Sequence, residues 1–248
     1  MEYSTSQIAQ IFGIHTNTVR FYEDMGLLPK AERRYNGYRV FNDRHIEQIK
    51  LIRTAFKEEA VKGNLRKRIV KIVRLSAAGA YEEAEEEAGL YFLQLVKLKS
   101  RAYDAANYVR EQGFEKDAAI NEIYSKNEIM EILDINSEAL RHWERSGLIR
   151  YPRNSRGHIY FTKQELRLLG VISTLRQGDC SVEEISKMLV GIGGNERKST
   201  KTDTWVLANA GEEPETAIDN ILKSLAMAVE NYAEIRIALI SCKKQSIQ

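Results

Sequence analysis

Cysteines, prolines and long apolar runs are scarce in this chain of 248 residues, which has two cysteines, Cys180 and Cys242, and three prolines. The cysteines form no CxxC pattern, so we expect no disulfide framework and a reducing compartment. No apolar run approaches the roughly 20 residues that span a bilayer. The opening segment, Met1 to Ser4, lacks the basic and apolar regions of a secretory signal. We therefore expect a cytoplasmic protein with no membrane partner.

Motifs that carry chemistry are missing as well. The four histidines have no metal-ligand spacing, and the sequence contains no phosphate-binding loop and no convincing catalytic triad. We predict that the protein is not an enzyme and has no catalytic residue, no metal and no cofactor.

The charge is distributed unevenly, although the formal net charge is only +2. Residues 1–75 carry 15 basic and 8 acidic side chains, whereas residues 76–123 carry 5 and 10. A basic first module followed by an acidic stretch favours a polyanionic partner for the first module. A solvated charged face would give the same count, so the charge alone leaves both interpretations open.

The chain contains an internal repeat. Residues 3–28 (YSTSQIAQIFGIHTNTVRFYEDMGLL) align without a gap with residues 124–149 (YSKNEIMEILDINSEALRHWERSGLI), at an offset of 121. After one deletion the match resumes, with NGYRVF at 36–41 against RGHIYF at 156–161. A chance match of this length and order is improbable. The chain therefore holds two copies of one unit, named copy 1 and copy 2 below.

Each copy predicts a helix, a tight turn, a second helix and a small hairpin. The first helix begins with a capping box, Ser4–Gln7 in copy 1 and Ser125–Glu128 in copy 2. It ends at a residue that tolerates left-handed backbone, Gly13 or Asp134. The second helix begins with an N-cap, His15 or Asn136. Ile8 and Ile11, like Ile129 and Ile132, are expected to face inward. The turn glycine at 37 or 157, flanked by β-branched and aromatic residues, predicts the hairpin.

A helix-turn-helix followed by a hairpin is called a winged unit, and the hairpin is its wing. Such a unit suits double-stranded DNA, because the second helix fits the major groove and the wing reaches the backbone or minor groove. The residues expected to face base edges are Thr16, Asn17 and Thr18 in copy 1, and Ser137 and Glu138 in copy 2. The residues expected near phosphates in copy 1 are Arg20, Tyr22, Lys30, Arg33, Arg34, Tyr38 and Arg39. Their counterparts in copy 2 are Arg141, Trp143, Arg153, Arg156 and His158. Binding to another protein is the alternative use of such a unit.

At these residues the sequence resembles the MerR family of bacterial transcription regulators. The matching segments are YSTSQIA, TVRFYEDMGLL and GYRVF in copy 1, and YSKNEIM, ALRHWERSGLI, GHIYF and SVEEISKML in copy 2. The resemblance implies that the DNA backbone is contacted by Arg20, Phe21, Tyr22, Tyr38 and Arg39. It also implies a regulator that distorts promoter DNA so that RNA polymerase, a further possible partner, can engage it.

Copy 2 departs from this family pattern. His142-Trp143 replaces the aromatic pair, His158-Ile159 replaces the tyrosine and arginine of the hairpin, and Glu138 stands where copy 1 has an asparagine. Arg156, just before the turn glycine, is a candidate substitute for the lost arginine. Glu138 can accept a hydrogen bond from a cytosine amine, or it can repel phosphates. Copy 2 is therefore expected to be a weaker or differently specific reader, with a purely structural role as the alternative.

An apolar heptad pattern follows each copy and predicts a helix pair. The first seam consists of Ala84, Ala88, Tyr91, Leu95, Leu98, Ala102, Ala105 and Val109. The second consists of Ile218, Ile221, Leu225, Ala228, Tyr232, Ile235, Leu239 and Cys242. MerR-like proteins usually carry one winged unit and one such helix, and they dimerise through an antiparallel pair of these helices. This chain holds both halves, so we expect a monomeric pseudo-dimer on an asymmetric operator, with a homodimer of four winged units as the alternative.

The predicted fold is mainly α, with two winged helix-turn-helix domains whose following helices pair as an antiparallel coiled coil. The predicted divisions are 1–75 for the first winged unit, 76–113 for the first coiled-coil helix, 114–123 for a connector, 124–191 for the second winged unit, 192–214 for an insertion that docks by Trp205, and 215–244 for the second coiled-coil helix. The expected function is sequence-specific transcription regulation. A DNA-architecture, segregation or recombination-accessory protein, or a protein-binding scaffold, remain the alternatives.

Overall fold

The computed structural model describes four stretches of the chain, residues 1–57, 63–110, 122–192 and 213–247. The predicted insertion with Trp205 and most of the predicted connector lie outside the described residues. The chain divides into two compact units. Unit 1 comprises Met1–Val96 with Leu225–Gln248, and unit 2 comprises Lys97–Ser224. Each unit therefore contains one copy of the repeat.

Unit 1 is built from helices and one small sheet. Its elements are β1 (Glu2–Tyr3), α1 (Thr5–Phe12), α2 (Thr16–Asp24), β2 (Glu32–Arg33), β3 (Arg39–Asn42), α3 (Asp43–Ala55), α4 (Gly63–Ala78) and the first part of α5 (Tyr81–Arg110). Strand β3 lies between β1 and β2, and both pairings are antiparallel. Hairpin β2–β3 is the wing predicted from the turn at Gly37.

Unit 2 repeats this arrangement with less strand. Its elements are the rest of α5, then β4 (Ile123–Tyr124), α6 (Lys126–Leu133), α7 (Ser137–Arg145), β5 (Phe161–Thr162), α8 (Lys163–Gln177), α9 (Val182–Ile192) and the first part of α10 (Pro214–Ile247). Strand β4 pairs antiparallel with β5, with Tyr124 opposite Phe161. The wing of copy 2 has an isolated bridge between Arg153 and Ile159, and the backbone N–H groups of Asn154 and Tyr160 donate to the carbonyls of His158 and Pro152 at 2.9 and 3.2 Å.

The predicted caps are confirmed in both copies. Ser4 and Ser125 each form a capping box, and Gly13 and Asp134 end their helices in the left-handed region at φ 61° and 53°. Asp134 adopts this backbone without being glycine, because a short polar side chain tolerates it. These local signals fix the tight turn that sets α2 against α1 and α7 against α6.

One prediction about the first helix of each copy is wrong. Ile8 and Ile129 are fully buried as expected, but Ile11 and Ile132 are 53% and 43% exposed. The buried stripe instead continues at i+4, as the burial of Leu133 four residues after Ile129 shows. Residues at i and i+3 both lie on one side of a helix, but in a helix of eight residues the core covers only part of that side.

A buried polar contact ties the helices of unit 1 together. The side-chain amide of Gln48 on α3 donates to the carbonyls of Leu27 and Val73, at 2.9 Å each. Its carbonyl oxygen accepts from the hydroxyl of Ser76 at 2.8 Å. All the polar atoms of this buried side chain are thereby engaged, which satisfies the main requirement for placing an amide in a core. The turn that follows α2 is thus fixed relative to α3 and α4.

The long helices carry the two predicted heptad patterns. In unit 1 the side chains of Ala84, Ala88 and Leu95 are buried, and Phe92 on α5 stacks on Tyr232 of α10 with ring centroids 4.5 Å apart. Lys243, near the end of α10, forms an ion pair of 2.8 Å with Glu82, near the start of α5. The start of α5 therefore contacts the end of α10.

Unit 2 contains the other ends of the same two helices. Arg110, the last residue of α5, donates to Glu215 at 2.9 Å and to Asp219 at 2.7 Å, and both acceptors lie near the start of α10. Arg101 on α5 donates to the last carbonyls of α6, those of Ile132 and Leu133. These contacts attach α5 both to α10 and to the helix-turn-helix of copy 2. Among the described helices, none is long and apolar enough to cross a membrane.

Candidate nucleic-acid interface

Helix α2 of copy 1 has one buried and one exposed face. Val19 is fully buried and fixes the helix against the core, while Asn17, Arg20 and Phe21 are exposed. The flanking positions Thr16, Thr18 and Tyr22 are half-buried. A guanidinium nitrogen of Arg20 donates to the side-chain oxygen of Asn17 at 3.2 Å. Polar side chains therefore cover the N-terminal part of the exposed face, as base reading requires.

The first turn of this helix is held by an unusual cap. The Nδ1 atom of His15 accepts a hydrogen bond of 3.1 Å from the backbone N–H of Asn17. In copy 2 the side-chain oxygen of Asn136 accepts from the backbone N–H of Ala139 at 2.8 Å. Both predicted N-caps are confirmed. Each satisfies one of the free donors at the start of a helix and so holds in place the residues expected to face bases.

The wing of copy 1 ends in a tight turn with two exposed tyrosines. Arg34 and Tyr38 are joined by a backbone hydrogen bond of 2.9 Å, and Gly37 takes the left-handed conformation at φ 80°. Tyr38 is 72% exposed and Tyr35 is fully exposed. Tyr35 was not among the predicted residues, although an aromatic residue beside an Asn-Gly turn is a signal for an exposed contact position.

Arg39 of the wing is already paired within the protein. It donates to the carboxylate of Glu23 on α2, which also accepts the backbone N–H of Ala31 at 3.0 Å. The side chains of Arg39 and Glu23 are 20% and 4% exposed. Burial alone would raise the pKa of Glu23, but the Arg39 and Ala31 donors hold it below its ordinary value. A phosphate contact by Arg39 would therefore have to compete with this pair.

Helix α7 of copy 2 presents a more mixed surface. Glu138 and Arg141 are exposed and Ser137 is half-buried. They line a shallow depression together with Glu144 and Arg145. Acidic and basic side chains thus alternate along the face that corresponds to the exposed face of α2, which is predicted to read bases.

Trp143 does not lie on this surface, and its expected DNA contact is wrong. The residue is only 4% exposed, and Leu140, one turn earlier on the same face of α7, is 1% exposed. Its counterpart Tyr22 in copy 1 is half-buried. The indole therefore serves as a core residue of unit 2, because a large apolar ring gains more from burial than from solvent.

The wing of copy 2 exposes the candidates Arg153, Arg156 and His158. The side-chain oxygen of Asn154 accepts the backbone N–H groups of Arg156 and His158, at 2.9 and 3.0 Å, and shapes the turn. Arg153 forms an ion pair of 2.9 Å with Glu144 on α7. Arg153, rather than Arg156, thus takes the place of Arg39 at the glutamate, while a phosphate contact by Arg156 remains a prediction.

Basic side chains beyond the predicted set extend the surface of copy 1. Arg53 donates to the carbonyl of Phe12 at 2.7 Å, and Arg74 donates to the carbonyl of Met25 at 3.1 Å. Both therefore support the ends of the helix-turn-helix with a positive charge. Neither was predicted, because both reach the motif only through the packing of α3 and α4.

The fourth helix of each copy, α4 in copy 1 and α9 in copy 2, differs in charge between the copies. Helix α4 carries exposed Arg66 and Lys67 near its start, whereas α9 begins with Glu183 and Glu184.

In the described parts of the chain, no three His, Cys, Asp or Glu side chains converge on a metal site. Cys242 is buried in unit 1, and burial raises the pKa of its thiol to about 11.

Two winged helix-turn-helix units, each with an exposed polar second helix, define the general class of helix-turn-helix proteins. The family model described as "MerR HTH family regulatory protein" matches residues 3–61 and 124–191, together just over half of the chain. The chain belongs to the MerR family. The match falls on both copies and confirms the resemblance seen in their sequences.

Individual relatives match only short segments. The HTH-type transcriptional regulator CueR of Escherichia coli O6:H1 is 38% identical over 50 residues, 20% of this chain and 37% of that protein. The mercuric resistance operon regulatory protein of Bacillus cereus is 30% identical over 53 residues, 21% of this chain and 40% of that protein. The chain thus covers less than half the length of these curated relatives. No solved structure matches it significantly.

Proposed function

We propose that the protein is a sequence-specific, double-stranded DNA-binding transcription regulator that uses both winged units. The observation that carries this proposal is the exposed surface formed by Asn17, Arg20 and Phe21 on α2, with Tyr38 on the adjoining wing. It combines a hydrogen-bonding residue for base edges with cationic and aromatic side chains for the backbone. The relatives described as transcriptional and operon regulators support the same use.

Copy 1 is proposed to supply most of the affinity. Its candidates Arg20, Arg33 and Arg34 are exposed, with Arg34 in an ion pair of 2.9 Å with Glu2, and the arginines of α3 and α4 add charge beside the helix-turn-helix. In copy 2 the exposed Glu138 stands among the basic residues and opposes phosphate. Since phosphate neutralisation supplies most non-specific affinity, a head with fewer unopposed cations binds more weakly.

The two units are proposed to act as one pseudo-dimer within a single chain. In support, Glu82 pairs with Lys243 in unit 1, and Arg110 pairs with Glu215 in unit 2. Each pair joins the start of one long helix to the end of the other, the pattern that an antiparallel coiled coil requires. One chain would then present two different heads to an asymmetric operator, without the symmetry of a homodimer.

Distortion of promoter DNA for RNA polymerase is the proposed mode of action. Bending a site of 20–30 base pairs costs of order 1–6 kcal/mol, so the two heads must be joined stiffly enough to sustain that strain. A paired α5 and α10 would provide such a connection. A footprint inside a promoter spacer, with enhanced cleavage at its centre, would support this mode.

The proposal is tested by selecting bound duplexes and measuring stoichiometry. We expect light scattering to give a mass near 28.4 kDa and titration to give one chain per asymmetric duplex. The paired variants are Arg20→Ala, which should weaken binding, and Lys97→Ala as a matched charge removal on α5, outside both winged units. Two chains on a palindromic duplex would replace the single-chain proposal with the homodimer. Absence of any DNA shift at low salt would instead favour a protein-binding scaffold.

A further inference from the structure

We propose that Arg39 and Arg153 are positioning residues, each of which anchors its wing to the second helix of its own helix-turn-helix through a glutamate. Between the copies, this anchor has moved from one strand of the wing to the other. The inference about DNA affinity rests on the proposed function, whereas the anchoring itself is a property of the free protein.

In copy 1 two arginines divide two tasks. Arg39, on the second strand of the wing, donates to the buried carboxylate of Glu23 near the end of α2. Arg33, on the first strand, donates from Nη1 to the carbonyl of the turn residue Gly37 at 3.1 Å. The first contact fixes the wing to the helix, and the second braces the turn of the wing.

In copy 2 one arginine performs both tasks. The position of Arg39 is occupied by Ile159, which cannot donate. Arg153, the counterpart of Arg33, donates from Nη2 to Glu144 at 2.9 Å and from Nη1 to the carbonyl of Gly157 at 3.4 Å. The forked guanidinium makes this possible, because its donors point in fixed and separate directions.

The register of the wing explains why the anchor can change strands. Arg33 lies directly opposite Arg39, and Arg153 lies directly opposite Ile159. Side chains at directly opposed positions of an antiparallel pair project to the same face with neighbouring Cβ atoms. An arginine on either strand therefore starts close to the same glutamate, which occupies equivalent positions in the repeat as Glu23 and Glu144.

Burial makes the anchor a stronger assignment for Arg39 than a phosphate contact. The Glu23 side chain is 4% exposed, so an Arg39 that turned toward DNA would leave a buried carboxylate without its ionic partner. In copy 2 the side chains of Arg153 and Glu144 are 51% and 32% exposed. The anchor of copy 2 is therefore more hydrated, and we expect its wing to be the more mobile of the two.

The first experiment uses the free full-length protein and needs no DNA. Backbone order parameters of wing residues 34–38 and 154–158 are measured by NMR, where about 0.85 is rigid and below about 0.6 is flexible. Arg39→Ala should lower the values in the first wing only, and Arg153→Ala should lower them in the second wing only. Adding Ile159→Arg to Arg153→Ala should restore them, because it returns the anchor to the strand used in copy 1.

Arg156→Ala is the matched control on the second wing, since it removes an equal charge without touching Glu144. It should leave the order parameters of that wing unchanged. Unaltered order in Arg39→Ala and Arg153→Ala, or no restoration by Ile159→Arg, would overturn the anchoring. Because a second substitution, at half-buried Ile159, would not reverse a general loss of folding, such a loss cannot imitate the restoration.

The second experiment adds duplex DNA over a range of salt concentrations. Loss of the anchor in Arg39→Ala should weaken binding about tenfold while leaving the salt slope intact, since no phosphate contact is lost. A slope lowered by about one unit with an ordered wing would show that Arg39 contacts phosphate instead and would overturn the proposal. If wild-type protein binds no duplex but the wings respond as expected, the DNA-binding function fails and the anchoring stands.

Discussion

The two winged units share their interior and differ on their surface. Ile8 and Ile129 are both fully buried, and Val19 and Leu140 both secure the second helix against the core. At the exposed first turn of that helix, copy 1 has Asn17 where copy 2 has Glu138. Buried positions of a fold are constrained by packing, whereas exposed positions are constrained only by what they bind. Both units therefore retain the scaffold of a helix-turn-helix head, while the surfaces that they offer to a partner differ.

The difference in charge has the same direction. The fourth helix of each copy differs at its start: α4 of copy 1 is basic, with Arg66 and Lys67, whereas α9 of copy 2 is acidic, with Glu183 and Glu184. Copy 1 is therefore the more basic of the two copies at this helix as well.

The largest effect is expected from the one candidate that the structure moves into the core. Trp143→Ala should lower the free energy of unfolding of unit 2 by about 3–5 kcal/mol, because it empties a buried site. Tyr22→Ala, at the equivalent half-exposed position in copy 1, should cost clearly less. Urea unfolding, followed by hydrogen exchange to assign each transition to its unit, measures both. Equal losses would show that the two second helices pack alike.

Acid should destabilise unit 1 through Glu23. Its pKa is lowered in the folded protein, so its contribution to stability is complete above the ordinary glutamate pKa of about 4.3 and is lost as the pH falls through the lowered value. Glu23→Gln should therefore flatten the dependence of unit 1 stability on pH below about 5. Thermal unfolding of both proteins between neutral and acidic pH checks this. A parallel decline in the variant would assign the acid sensitivity to other carboxylates, beginning with buried Glu87.

Base reading should divide the operator into two unlike half-sites. Asn17→Ala should cost roughly 1–3 kcal/mol on the best duplex and less on random DNA. Glu138→Ala should alter the preference at the other half-site only if its carboxylate accepts from a cytosine amine; if the carboxylate repels phosphates instead, the variant should bind all duplexes more tightly. Binding selections with each variant compare the recovered sequences. If Asn17→Ala weakened specific and random DNA by the same factor, Asn17 would have no role in reading bases.

Phosphate contacts should be unequal as well. Arg20→Ala should lower the salt slope of binding by about one unit with no change in base preference. Arg141→Ala, its counterpart by position, should lower the slope by less, since Glu138 lies one turn earlier on the same helix, where copy 1 has the neutral Asn17. Titrations at several salt concentrations give both slopes. Equal changes would mean that both heads contact the backbone equally.

The sequence predicted those features that depend on near neighbours in the chain. The capping boxes at Ser4 and Ser125, the left-handed Asp134 and the two wings were all predicted, because caps and turns are set within a few residues. The heptad positions were also predicted, because the spacing of apolar residues along a helix can be read from the sequence. Membership of the family followed from the two copies of the repeat.

Features that depend on packing between distant parts of the chain could not be predicted from the sequence. The burial of Trp143, the exposure of Ile11 and the pairing of Arg39 with Glu23 depend on which elements meet in three dimensions. An aromatic residue that follows an arginine on the second helix, as Trp143 follows Arg141, has the same local sequence pattern whether its side chain faces solvent or the core. Only the packed structure separates a residue that touches a partner from one that supports it.

The smallest effect concerns the caps of the two second helices. Replacing His15 or Asn136 by Ala should lower the free energy of unfolding of its own unit by about 1 kcal/mol, because a backbone N–H in the first turn of the helix loses its acceptor. His15→Asn should be nearly neutral, since it installs the cap that copy 2 already uses. It should also preserve DNA binding, because the cap holds Asn17 in place and does not require an imidazole. Chemical unfolding and a single titration of the three variants suffice. A loss of affinity in His15→Asn without a loss of stability would show that the imidazole itself contacts DNA, and would add a residue to the surface of copy 1 that copy 2 lacks.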